Sequence, residues 1–332
     1  MKALALSTAA ILSLAALVPG LRAETPAPLQ LTASITMEDV SGRIDHMAFD
    51  RKRQRLIVAA LGNDTVEVVD LAAGKRVHRI AGLKEPQGIA YAEKSDLLFV
   101  ANAGDGSVRV FQADDLAPVG RIDLKDDADN IRIDPASGNV VVGYGKGGLA
   151  LIDPERRAVI ARVALPEHPE GFQIEAGTGK AFVNLPNAGQ IAVVDLGRRQ
   201  LIGTWAVPGA RGNFPMALDS AKGMLAVVFR SPARLVLLDT KSGNVTQSLP
   251  TCGDADDVFF DVKRARLYVS CGAGEVALFQ REGASYRPLA AVATASGART
   301  SLFVADLDRL FVAERAGLLG SRATLRVYQP TS

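Results

Sequence analysis

The chain has 332 residues, with 38 Lys and Arg set against 36 Asp and Glu, and two cysteines. So even a balance argues against a binder of phosphate backbones, which carries a clear basic excess. Two cysteines leave no zinc-type Cys/His spacing and no C-x-x-C-H for covalent haem.

In chain order, Lys2, the apolar run from Ala3 to Val18, the Pro19-Gly20 break and Leu21-Arg22-Ala23 read as an export signal cleaved after residue 23. The run is short for a membrane crossing, and no later segment approaches the roughly 20 apolar residues one needs. No cysteine near the cleavage point marks a lipoprotein. Cleavage removes Lys2 and Arg22 and no acid, so the remaining basic and acidic residues are equal in number. The expectation is a signal at 1–23 and a single domain at 24–332. It predicts a monomer, periplasmic or secreted, with no membrane span.

From residue 44 onward one paragraph recurs seven times. IDHMAFD, PQGIAYA, ADNIRID, PEGFQIE, FPMALDS, ADDVFFD and RTSLFVA end their apolar stretches at Asp50, Ala92, Asp134, Glu175, Asp219, Asp261 and Ala305. The spacings are 42, 42, 41, 44, 42 and 44 residues. Four short β-rich runs per period of this length predict propeller blades, so the fold class is all-β, a seven-bladed β-propeller. Residues 86–124 illustrate one blade. Gly88–Tyr91 is a short inner strand, and Leu97–Ala101 is apolar throughout, as a strand covered on both faces must be. Asn102–Gly106 is a turn, Ser107–Phe111 alternates, and Val119–Ile122 is the polar outer strand. The last repeat stops after its third strand, Thr324–Tyr328, while an orphan β-rich stretch, Leu29–Met37, precedes the first. That stretch is predicted to complete the last blade and close the ring, leaving no bare edge.

Leu98-Phe99-Val100-Ala101-Asn102 followed by Gly106-Ser107-Val108-Arg109-Val110 resembles the YVTN-type propeller repeat. So does Leu56–Ala60 followed by Asn63–Asp70. Over essentially everything after the signal, the chain is similar to exported bacterial YncE-like proteins. The resemblance implies the fold rather than an activity. Some of these proteins are described as DNA-binding, which the neutral charge here does not support.

In such blades the link into each inner strand and the end of the second strand face one mouth of the central channel. The entry residues are Asp45-His46, Gln87, Asp129-Asn130, Glu170, Asn213, Asp256-Asp257 and Arg299. Every repeat contributes a polar group and four contribute a carboxylate, which makes this ring the expected ligand site. Arg299 is expected to be its one fixed cation, placed to orient a carboxylate or phosphate or to pair with a ring acid. No cofactor motif is present, and the clustered carboxylates suit a hard divalent cation such as Ca²⁺ or Mg²⁺. His46 and His168, with Asp45 and Glu170, offer acid–base chemistry across the channel. His78 falls in an outer strand. No G-x-S-x-G elbow or P-loop is present, and the glycine-rich run 143–148 falls at a turn between strands. Cys252 and Cys271 flank the mouth side of blade six and are expected to form a disulfide in an oxidising compartment.

The leading functional expectation is a binding or scaffold module that presents the mouth to a small molecule or a periplasmic protein. Its alternative is a metal-assisted hydrolase, lactonase or lyase that uses the acidic ring.

Overall fold

The computed structural model describes residues 27–317 and 321–332, and the expected signal and its cleavage point lie outside them. The described residues fold as seven β-sheets and one 3-10 turn at Leu61–Asn63. The sheets follow one another along the chain as blades one to seven, at residues 47–80, 86–123, 128–164, 172–206, 211–250, 255–293 and 300–330. No described helix is long and apolar enough to cross a membrane.

The second strand of each blade carries the packing. Leu97–Asn102 and Arg266–Cys271 are buried at every residue. Phe99, Phe182 and Phe229 from the second strands of blades two, four and five are fully enclosed, each removing about 2 kcal/mol worth of apolar surface from water. Seven apolar clusters result, each lying between two neighbouring blades rather than within one. One joins Leu56 and Val58 of blade one to Phe311 and Leu325 of blade seven, where the first and last described strands meet. There Leu29–Met37 pairs antiparallel with Ala323–Pro330, from Leu29 opposite Pro330 to Met37 opposite Ala323.

The acids that close the repeats have a local role. Backbone amides three residues on donate to Asp50, Asp219 and Asp261, which fixes the turn into the second strand. Blade six departs from the four-strand pattern. Its outer strand is broken into Ser285–Pro288 and Val292–Ala293, which pair with opposite ends of the third strand, Glu275–Glu282. Pro288, which has no amide hydrogen, ends the first piece.

Candidate active site at the channel mouth

The inner strands do not enter their sheets smoothly. Register shifts interrupt the pairing between Pro86 and Ile89, Ala128 and Ile131, Asn213 and Met216, and Ala255 and Asp257. Bulges of this kind re-aim side chains, and here they fall on the entry residues themselves. The backbones crowd together at the axis. A Cβ on Gly88 would stand 2.3 Å from the Asp129 carbonyl oxygen, and one on Gly171 would stand 2.5 Å from that of Phe214. Only glycine fits at either point.

Two connected levels result. The mouth is a cavity of about 190 Å³ bordered by Gln87, Asp129, Glu170, Asp256 and Arg299 from the expected ring. Arg43, Asp127, His168, Phe214 and Arg230 also border it. Beneath it, His46, Asn130, Asp257 and Arg132 line a narrower space that shares Glu170, Phe214 and Asp256 with the mouth. Two expected residues lie behind these walls. Asp45 is buried, paired with Arg43 at 3.3 Å and within 2.8 Å of the Gln87 amide nitrogen. Asn213 is buried and donates to Asn184 Oδ1 at 2.8 Å and to the Gln190 carbonyl at 2.7 Å. It ties strands together and borders neither cavity.

Arg299 is not the ring's one cation, because Arg43, Arg132 and Arg230 share the channel with it. Nor is its guanidinium free. It bonds Asp254 Oδ1 at 2.8 Å and Asp256 Oδ2 at 2.9 Å. Arg230 closes the same network with 2.6 Å to Asp256 Oδ1 and 2.9 Å to the Ala255 carbonyl, and lies 3.8 Å from the centre of the Phe214 ring. The disulfide Cys252–Cys271, with Cα atoms 5.9 Å apart, anchors the loop that carries Asp254 and Asp256.

On the opposite side of the mouth, Asp129, His168 and Glu170 bring one ligand atom each to within 4.8 Å of one another. The His168 ring is held from behind, its Nδ1 2.6 Å from the Gly145 carbonyl oxygen. A carbonyl only accepts, so Nδ1 carries the hydrogen and Nε2 faces Asp129 Oδ2 at 3.5 Å. A bare Nε2 lone pair against a carboxylate is repulsive. The arrangement therefore calls for a positive charge there, either a proton on Nε2 or a cation shared with the acids.

Electrostatics separate the groups further. Burial pushes Glu170 up to about 8, with Asp129, Asp256 and Asp45 adding to the shift. The hydrogen bond to Asp129 leads in raising His168 to about 9. Burial raises Asp257 to about 7 and also raises Asp256 and Asp127. Burial opposes the charge on His46, but Asp45, Asp257 and Asp129 outweigh it and raise that group too.

The cluster pairs His168 with Asp129 and Glu170, where the sequence pointed to an acid–base set that also drew on His46 and Asp45. The His46 ring has no hydrogen-bond partner among the described residues, although its backbone carbonyl accepts from the Ala59 amide at 3.0 Å. Some of the residues missed from the ring follow a rule visible in retrospect. Arg43, Asp127, His168 and Asp254 each lie two positions before a ring residue, whereas Phe214 and Arg230 do not.

In sequence, a family model described as Arylesterase matches residues 44–206. No curated protein matches the chain. Among solved structures, a chain of hydrazine synthase from Kuenenia stuttgartiensis superposes with a TM-score of 0.76 at 16% identity, covering 86% of this chain and 96% of that one. At that identity the likeness is one of fold. It agrees with the seven-bladed β-propeller described above.

Proposed function

We propose that the protein is an exported, YncE-like propeller that hydrolyses small esters or lactones at the channel mouth, with a divalent cation held by Asp129, His168 and Glu170. The observation that carries the reading is the His168 ring, tethered at Nδ1 by a backbone carbonyl and facing a carboxylate through Nε2. That is how metal-ligating histidines are oriented by their outer partners. The segment matching the Arylesterase model contains all three residues. One imidazole among the donors favours a transition metal such as Zn²⁺ or Mn²⁺ over the Ca²⁺ or Mg²⁺ that carboxylates alone suggest.

A bound cation supplies charge that polarises a carbonyl oxygen and acidifies water. The chain's own groups do the rest. Asp129 and Glu170 neutralise the charge, Asn130 steadies Asp129 through a 3.3 Å contact, and Arg230 holds the Phe214 ring against the opening. Hydrolysis adds the hydroxyl of water to the acyl carbon and its remaining hydrogen to the departing alkoxide. Of the two expectations for Arg299, an anchor for a ligand anion or a partner for a ring acid, the contacts to Asp254 and Asp256 support the second.

Metal analysis of the purified protein, followed by phenyl acetate and lactone hydrolysis with Zn²⁺ or Mn²⁺ added, tests the proposal. Asp129→Asn and His168→Ala each alter a proposed ligand, so each should lower metal affinity and turnover by at least the roughly 10- to 100-fold lost when a partner behind a ligand is removed. A metal-loaded protein that turns over neither substrate refutes the hydrolase and leaves a binding module.

A further inference from the structure

Below the mouth the channel opens into a chamber of about 280 Å³ whose character differs from the ring above it. Its walls include Phe49, Tyr91, Ile133, Phe259 and Leu302, which the blades leave partly exposed to the channel. Arg132 and His46 line both this chamber and the narrow space above it. Among the described residues Arg132 has no salt-bridge partner. Its Nη1 donates to the Ile131 carbonyl at 2.8 Å, and its guanidinium stands 5.6 Å from the centre of the Phe172 ring. The other channel arginines, Arg43, Arg230 and Arg299, are all paired with acids.

An unpaired guanidinium in a chamber walled partly by apolar side chains and partly by polar ones such as Gln173 and Ser301 is an arrangement that the fold itself does not need. Partly buried arginine is costly unless an anion meets it, and its planar fork matches a carboxylate. Of the two acids whose charge reaches it, Asp129 is engaged by Asn130 at the mouth, and Asp257, which lines the chamber, already accepts the Ser301 amide at 2.7 Å. Burial raises Asp257 to about 7, so it is a poor permanent counter-ion.

We propose that this chamber binds a small organic acid with an aromatic or otherwise apolar body, Arg132 and His46 taking its carboxylate and the apolar walls its body. As a statement of substrate class this rests on the hydrolase reading, since hydrolysis of an ester built on such an acid releases it beside Arg132. As a statement about binding it needs neither metal nor turnover.

The test is calorimetric titration of benzoate into the purified full-length chain in the presence of EDTA, where any cation at the mouth is removed. Saturable one-site binding in the millimolar range or tighter is expected. Benzyl alcohol, of the same body without the charge, should bind at least about tenfold more weakly, and Arg132→Gln should lose benzoate affinity by about tenfold or more. His78→Ala, on an exposed outer strand, should bind as the wild type does. Should Arg132→Gln fail to fold, His46→Gln is expected to show the same direction of loss. The proposal is overturned by absence of saturable benzoate binding, by equal binding of benzyl alcohol, or by a folded Arg132→Gln or His46→Gln variant that binds benzoate normally. Because the titration contains chelator, loss of the esterase reading leaves its outcome unaffected, and the converse also holds.

Discussion

The two ends of the channel treat charge in opposite ways. On the face away from the mouth, the turn Asp50-Arg51-Lys52-Arg53 of blade one reaches Asp96 of blade two. Arg53 meets that carboxylate with both terminal nitrogens at 2.8 and 2.6 Å, and Lys52 adds 2.7 Å. Asp261-Val262-Lys263-Arg264 of blade six repeats the device on Asp308 of blade seven at 2.6 and 2.7 Å, with Lys263 at 2.7 Å. These arginines hold Asp96 and Asp308 well below the usual carboxylate range. At the mouth, burial drives Glu170, Asp256 and Asp257 the other way. Matched bidentate pairs at the rim fasten blade to blade. The mouth instead concentrates acids that burial keeps from ionising freely, the condition expected where a cation or a reacting group is to be received.

If that contrast is right, stability should come from the rim pairs and from covalent links, and little of it from the mouth acids. The largest effect is expected from Cys252→Ala with Cys271→Ala. The disulfide joins residues 19 apart, and its loss should cost about 3 kcal/mol in urea denaturation. Next comes Arg264→Met, which leaves Asp261 and Asp308 without their shared partner. Asp308 lies partly open to water and keeps Lys263, and buried Asp261 keeps the Tyr268 hydroxyl and the Arg264 backbone amide, so the cost should be about 1–2 kcal/mol rather than that of a buried charge left with no partner. The sign of its pH dependence is fixed. A carboxyl whose folded value is depressed stabilises above its unfolded value, and that contribution fades as pH falls through the folded one. The gap between wild type and Arg264→Met should therefore narrow in acid. A constant gap would mean that Arg264 acts by packing alone.

The ring of blades was legible because packing imposes a period. Every blade needs an apolar second strand such as Leu97–Asn102 and a capped turn such as that at Asp261, so both recur along the chain. The mouth was legible only as a level. The sequence locates Asp129 and Glu170 at equivalent entries, but their approach to His168 depends on a bulge between Ala128 and Ile131 and on the Gly145 carbonyl. Neither leaves a periodic trace. Arg230 enters from the end of a second strand, Met224–Ser231, where the entry rule does not look. Arg132 lies two residues beyond Asn130 and lines the same space, so the period-two alternation of a strand points to it.

The smallest effect sharpens the contrast most. Glu170→Gln in metal-free protein should raise stability at neutral pH by about 1 kcal/mol, because burial disfavours the carboxylate while the His168 imidazolium offsets part of that cost. Below the ordinary carboxylate range the side chain is protonated in both states and carries no penalty. As pH rises, the unfolded chain releases its proton first, so wild-type stability falls until the folded value of about 8 is passed. The glutamine variant lacks this decline. Its advantage should therefore appear above the ordinary carboxylate range and level off near pH 8, the reverse of the acid-side narrowing at Arg264. Urea denaturation of the two proteins across that range decides the point. An advantage that is absent, or that grows as pH falls, would mean that Glu170 is held as a carboxylate by its neighbours, and the mouth would then be a second set of staples.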